Sequence, residues 1–153
     1  MAECVGDCNS ISKCDIFDFM AKFVGLSVLH PGGFAATEKL LGLCQIDKDR
    51  RILDIACGKG TTSIFIAKKF GCKVIGIDIS HELIEEAKFL AGKSNVNHLL
   101  EFKVAFATSL PFNDNEFDVT IAQAMLVLID EKPSVIKEGG KILGKRGRPA
   151  KVV

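Results

Sequence analysis

Residues 51–60 read Arg-Ile-Leu-Asp-Ile-Ala-Cys-Gly-Lys-Gly, and the change of pattern inside this stretch decides the fold. From Ile52 to Cys57 the run is apolar except for Asp54, as a short strand requires. Gly58 and Gly60 then break it, and Ser63 to Phe70 takes up a helical pattern that Gly71 closes. Lys73 to Ile79 is a second strand, apolar almost throughout, as expected of a strand buried on both faces. Ser80 is placed to cap the next helix, whose stripe runs through Leu83, Ile84, Ala87, Leu90 and Ala91. Leu100 to Ala105 reads as a third strand, and Phe117 to Leu128 begins as a fourth. Strands alternating with helices of this length make βαβ units, so the fold class is α/β with a parallel sheet and helices on both faces.

Upstream, Ile16, Phe19, Met20, Phe23 and Val24 mark one face of an amphipathic helix. His30-Pro-Gly-Gly33 interrupts the chain, and Phe34 to Cys44 resumes a helix through Ala36, Leu40, Leu41 and Cys44. The 153 residues suffice for one domain with a real core, which buries roughly 70% of the unfolded chain's surface at this size. A composition of 48% apolar and 25% charged residues excludes an intrinsically disordered chain. A net charge of +1 gives no global field toward nucleic acid or an anionic bilayer. No apolar run approaches the ~20 residues that span a membrane, and the start lacks the pattern of a secretory signal. A cytoplasmic protein with reduced thiols is expected. Cys4, Cys8 and Cys14 lack the spacing of a zinc knuckle, so no metal is expected.

An open parallel sheet binds its ligand at the carboxyl ends of its strands. After the first strand, Gly58-Lys-Gly60 lets backbone N–H groups approach a ligand at a helix start. After the second, Asp78 lies eighteen residues past Gly60, placed to accept from both hydroxyls of a ribose. Together they point to an adenosine-type ligand. A nicotinamide or flavin dinucleotide would want a third glycine where Ser63 stands, and no P-loop pattern is present.

These segments resemble a known family. ILDIACGKGTTS, VIGIDIS and FKVAFATSLPFNDNEFDVTIAQAML look like consecutive motifs of class I S-adenosylmethionine (SAM)-dependent methyltransferases, over Arg51 to about Lys137. The resemblance implies a Rossmann-like domain over residues 51–143, a helical cap segment over 1–50 and a basic flexible tail over 144–153. It places Asp54, Ala56, Gly58 and Gly60 around the methionine part of the cofactor, which becomes S-adenosylhomocysteine after transfer. It sets Asp78 on the ribose, Ile79 and then Phe106 and Ala107 at the two adenine edges, and Gln123 toward the methionine and sulfonium. HPGGFAATEKLL is similar to the lead-in of the small-molecule methyltransferases, so a small-molecule acceptor is implied.

The chain departs from that pattern in three places. Ala56 stands where the family often has glycine, acceptable if the residue keeps ordinary strand angles. Phe106 replaces a common acidic residue, exchanging a hydrogen bond to the adenine amino group for stacking. After Glu138 comes Gly139-Gly140, leaving Lys141-Ile-Leu143 as the remaining strand candidate. The sheet is therefore expected to be incomplete on its C-terminal side, with strand four at or beside an open edge that a homodimer or partner chain would cover. Three functions stay open: a small-molecule methyltransferase, a non-catalytic SAM-binding fragment or truncated remnant, and a DNA-associated protein acting through the AT-hook-like Arg146-Gly-Arg-Pro149. Nucleic acid is not the expected partner. No catalytic residue is assigned: His30 is the one candidate base, while His81 and His98 read as a helix and a loop residue.

Overall fold

β1 (Arg51–Ile55) sits at the centre of a parallel sheet because every residue after Arg51 is buried and its neighbours on both sides are equally apolar. The computed structural model describes residues 33–123, 125–126, 130–144 and 151–152. The helix expected over Ile16–Val24, the early cysteines, His30 and residues 145–150 lie outside them. In chain order the elements are α1 (Gly33–Gly42), β1, α2 (Thr61–Phe70), β2 (Lys73–Asp78), α3 (His81–Lys93), a 3₁₀ turn (Asn97–Leu99), β3 (Leu100–Val104), β4 (Val119–Ile121), α4 (Lys132–Lys141) and β5 (Lys151–Val152).

The strand order is β3-β2-β1-β4-β5, all parallel. The α/β class and the Rossmann-like arrangement are those expected. Alternation along the strands divides the core into two layers. Ile52, Val74, Val119 and Ile121 pack with Leu41 of α1 and Ile66 and Ala67 of α2. Leu53, Ile55, Ile75 and Ile77 point the other way, toward Leu110, Phe117, Val135 of α4 and Ile142. Ile84, Ala87 and Ala91 of α3 join Phe102 beside the first layer. At the amino edge, Asp118 accepts from the Arg51 N–H at 2.9 Å and pairs with Arg50 at 3.2 Å, tying the lead-in of β4 to β1.

α2 and α3 start and stop where the sequence says. Gly71 ends α2 in the left-handed region at φ +67°, its N–H donating to the Ala67 carbonyl. Ser80 Oγ accepts from the Leu83 N–H at 3.3 Å, capping α3. The end of the chain differs from expectation. Gly139-Gly140 does not stop α4, which runs on to Lys141. Gly139 is buried, with Thr120 Cγ2 at an ordinary contact distance of 3.5 Å from where its Cβ would stand, and α4 runs through the glycine pair despite glycine's poor helix propensity. Lys141-Ile-Leu143 forms no strand of its own: Leu143 makes a single parallel bridge to Phe117, and Gly144 N–H donates to the Phe117 carbonyl at 2.7 Å. Lys151 and Val152 then pair with Val119 and Thr120, giving β4 a two-residue neighbour on the side expected to be open. None of the described helices is long and apolar enough to cross a membrane.

Candidate functional site

The site is assembled where β1 and β2 end. Cys57 N–H donates to the Ile77 carbonyl at 2.9 Å, extending the β1–β2 ladder, and Gly60 N–H returns to the Cys57 carbonyl at 2.9 Å, closing the turn that leads into α2. Asp78 locks this turn to β2. Its Oδ2 accepts from the Gly58 N–H at 2.9 Å and its Oδ1 from the Ser80 N–H at 3.0 Å. One carboxylate thus joins the glycine turn to the start of α3, and each oxygen keeps further lone-pair capacity for a ligand hydroxyl.

The two glycines of the turn are needed for different reasons. Gly58 is left-handed at φ +54°, and an added Cβ would meet nothing within 4 Å, so it is the backbone angle and not lack of room that favours glycine there. Gly60, at φ +71°, is a packing residue: its Cβ would lie 2.7 Å from Phe102 Cζ and 3.0 Å from Ala87 Cβ. Lys59, between them, turns aside to pair with Glu86 of α3 at 3.0 Å.

Ala56 contradicts the condition set for it. Its φ is +57°, left-handed and not strand-like, so the chain puts a Cβ where the tight turn favours glycine. The residue is exposed, which lets the turn carry this strain without a clash against the core.

Asp54 is buried, and Ser63 Oγ of α2 donates to its Oδ2 at 2.6 Å. Burial pushes the Asp54 carboxyl up to about 7; the Ser63 hydrogen bond opposes this and the nearby Asp78 charge reinforces it. Burial also drives the Cys57 thiol far upward, helped by the charges of Asp54 and Asp78, so Cys57 packs as a neutral thiol and is no nucleophile.

Ile79 and Phe106 follow β2 and β3 and are exposed, while Ala107 packs back against the core. Gln123, two residues past β4, meets the N-terminal helix: Thr37 Oγ1 of α1 donates to Gln123 Oε1 at 3.3 Å. All nine expected residues therefore fall at the carboxyl ends of the first four strands or in the turns beyond. His81 opens α3 and His98 lies in the 3₁₀ turn near the amino edge. A separate open cleft of about 560 Å³ also borders that amino edge, between Arg51, Lys73, His98 and Leu100.

Two residues of the site were not singled out in the sequence. Ser63 figured there only as a glycine that is missing, although a small polar residue in the first turn of α2 is well placed to meet Asp54. Thr37 carried a clearer signal, a hydroxyl on the same helical face as Leu40 and Leu41.

Comparison with known proteins bears on the same region. A family described as "Methyltransferase domain" matches residues 46–150. A protein of Haemophilus influenzae with no assigned function is 33% identical over 132 residues, covering 85% of this chain and 52% of its own length. Phosphoethanolamine N-methyltransferase 1 of Arabidopsis thaliana is 30% identical over 126 residues, covering 78% of this chain and 25% of the relative. Among solved structures, the MccD protein superposes with a TM-score of 0.71 at 31% identity, over 75% of this chain and 50% of that one. The chain thus spans about half the length, or less, of the relatives it matches.

Proposed function

The chain belongs to the class I SAM-dependent methyltransferases, and on that premise we propose that it binds SAM at the carboxyl ends of β1–β4 and transfers the methyl group to a small-molecule acceptor. The observation that carries this reading is the junction of Gly58 and Asp78. A ribose-competent carboxylate is held 2.9 Å from the N–H of a glycine whose Cβ direction is empty, at the sheet end where such folds take ligands.

When bound, SAM supplies an activated methyl group on a sulfonium, a leaving group already made. The protein's residues have to hold and orient. Asp78 would accept from the ribose hydroxyls, and the exposed Ile79 and Phe106 would take the base. The Asp54, Ala56, Gly58 and Gly60 segment would line the methionine part, with Ala107 at the base edge and Gln123 toward the sulfonium. Bringing an acceptor in line with the methyl group is then a matter of orientation, which accounts for catalysis without an assigned base.

Titration calorimetry with SAM and S-adenosylhomocysteine tests the proposal: the folded chain binds both, and Asp78→Ala weakens both. Absence of binding by folded protein rejects it. We also propose that a second copy or a partner chain pairs along the sheet edge beside the two-residue β5, which light scattering on the purified protein checks: a monomeric mass excludes a homodimer.

A further inference from the structure

The amino ends of β1 and β2 set two cations side by side. Arg51 and Lys73 are register partners in the parallel ladder, so their side chains leave the same face of the sheet on strands about 4.8 Å apart. Like charges this close repel unless each meets a counter-charge. Arg51 meets one: its Nη2 lies 3.0 Å from Glu116 Oε1, and its guanidinium stands 5.5 Å from the centre of the Phe117 ring. Lys73 does not. It is exposed and has no ion-pair partner among the described residues, and Glu101, the carboxylate in the lining of the same cleft, is held by Lys103 at 3.0 Å. These charges border the open cleft of about 560 Å³ at the amino edge. Because the strand order is β3-β2-β1, Lys73 sits between Arg51 on one side and His98, in the turn leading into β3, on the other. The buried side chains of Ile75 and Phe117 supply an apolar lining. A concavity of this volume, apolar within and with a few convergent polar groups, has the make-up of a small-molecule site.

We propose that this amino-edge cleft is a second binding site, for a small organic oxyanion whose phosphate or carboxylate is taken by Lys73, with Arg51 and His98 beside it, and whose apolar body lies on Ile75 and Phe117. The lysine ammonium brings three donors and a compact charge to such a group. Arg51, committed to Glu116 through one nitrogen, keeps further donors of its own. An inorganic anion leaves the apolar lining unused, and a neutral aromatic leaves Lys73 unmatched, so tight binding needs both parts in one molecule. The site is separate from the one at the carboxyl ends: Lys73 and Asp78 are the first and last residues of β2, roughly 16 Å apart. An occupant of the cleft therefore does not receive the methyl group. The proposal stands independently of the SAM reading, which concerns the other end of the sheet.

The test is calorimetric titration of the whole chain with phenyl phosphate, inorganic phosphate and phenol, at low salt because exposed charges are screened. Phenyl phosphate is expected to bind about tenfold or more tightly than either of the other two. Lys73→Met keeps the stem and removes the charge, and is expected to weaken phenyl phosphate about tenfold, while Lys73→Arg stays within about threefold of the native chain. Proton NMR gives the position: of the three histidines in the sequence, His98, assigned through His98→Gln, is expected to shift its ring signals with phenyl phosphate, and His81, at the start of α3, is not. Equal affinity in the native chain and Lys73→Met overturns the proposal, as does a His98 signal that stays in place at saturation. Inorganic phosphate binding as tightly as phenyl phosphate also overturns it, since the cleft would then be a cationic patch without a seat for an apolar body. So does a folded native chain that shows neither heat nor a His98 shift at millimolar phenyl phosphate. None of these results bears on the SAM reading, which S-adenosylhomocysteine binding to the same protein decides.

Discussion

Ser63 Oγ lies 2.6 Å from Asp54 Oδ2, a buried hydrogen bond that ties the first turn of α2 to β1 directly under the glycine turn. The serine's proton is what makes a carboxyl tolerable there, yet one donor does not repay the loss of water, and the carboxyl is pushed up to about 7. The folded chain therefore keeps a proton on Asp54 at pH values where the unfolded chain, near 3.8, has lost it. Between those two values the folded state binds more protons, so stability falls as pH rises through that window, by at most about 4 kcal/mol.

Asp54→Asn keeps an acceptor for Ser63 and removes the ionisation. Its Tm relative to the native chain is expected to climb between about pH 4 and pH 7 and to level off above that. Thermal melts of both proteins across that range check this, and parallel Tm profiles would show that Asp54 is not the titrating group.

Ala56 is held at φ +57°, where a Cβ costs about 1 kcal/mol or more. Ala56→Gly is expected to raise stability by about 0.5–1 kcal/mol despite the looser unfolded chain, and Ala56→Val to lower it by more than that, because β-branching is worst in this region. Urea unfolding of the pair measures both. A destabilised Gly variant would mean that the turn does not need the left-handed angle.

Gly76, in the middle of β2, leaves the slot that Phe102 fills. A Cβ there would stand 2.7 Å from the Phe102 ring and 2.9 Å from Cys57 Sγ. Gly76→Ala is expected to cost about 1–3 kcal/mol, and Phe102→Leu in the same chain to return part of it, since the clash is with a side chain. A double-mutant cycle in urea reads the coupling. Strictly additive effects would place the strain elsewhere.

Gly76 and Ala56 also mark where the sequence ceased to be legible. The strand, turn and helix order from Arg51 to Val104 could be read directly, because each element carries its own period and its own stop, as at Gly71 and Ser80. What could not be read depends on contacts between distant segments. Gly139 is buried inside α4 although its own propensity would end the helix there, and Lys151–Val152 finds a partner only once β4 is in place. In the site, Gly58 and Asp78 were legible by spacing. The sign of φ at Ala56 was not, because alanine is compatible with strand and turn alike. Ser63 was seen only as an absence, since its role appears when α2 folds back over Asp54.

The last prediction concerns Thr37, which is fully buried on α1 and whose hydroxyl reaches Gln123 Oε1 at 3.3 Å and the Gly33 carbonyl at 3.4 Å. The hydroxyl has one proton for these two acceptors, and the shorter contact directs it to Gln123, tying an N-terminal helix to the end of β4, where the proposed sulfonium-facing residue stands. Thr37→Val preserves the volume and deletes the proton, so it is expected to cost about 1–2 kcal/mol of stability. If Thr37 positions Gln123, methyl transfer should slow several-fold in kcat while the affinity for S-adenosylhomocysteine, set mainly at Asp78, changes little. Thr37→Ser restores the donor and should recover most of the rate, although it opens a small void. Equal rates in the Val and Ser variants would reduce Thr37 to a packing residue; a rate recovered by Ser alone would establish that the hydroxyl sets the geometry at the end of β4.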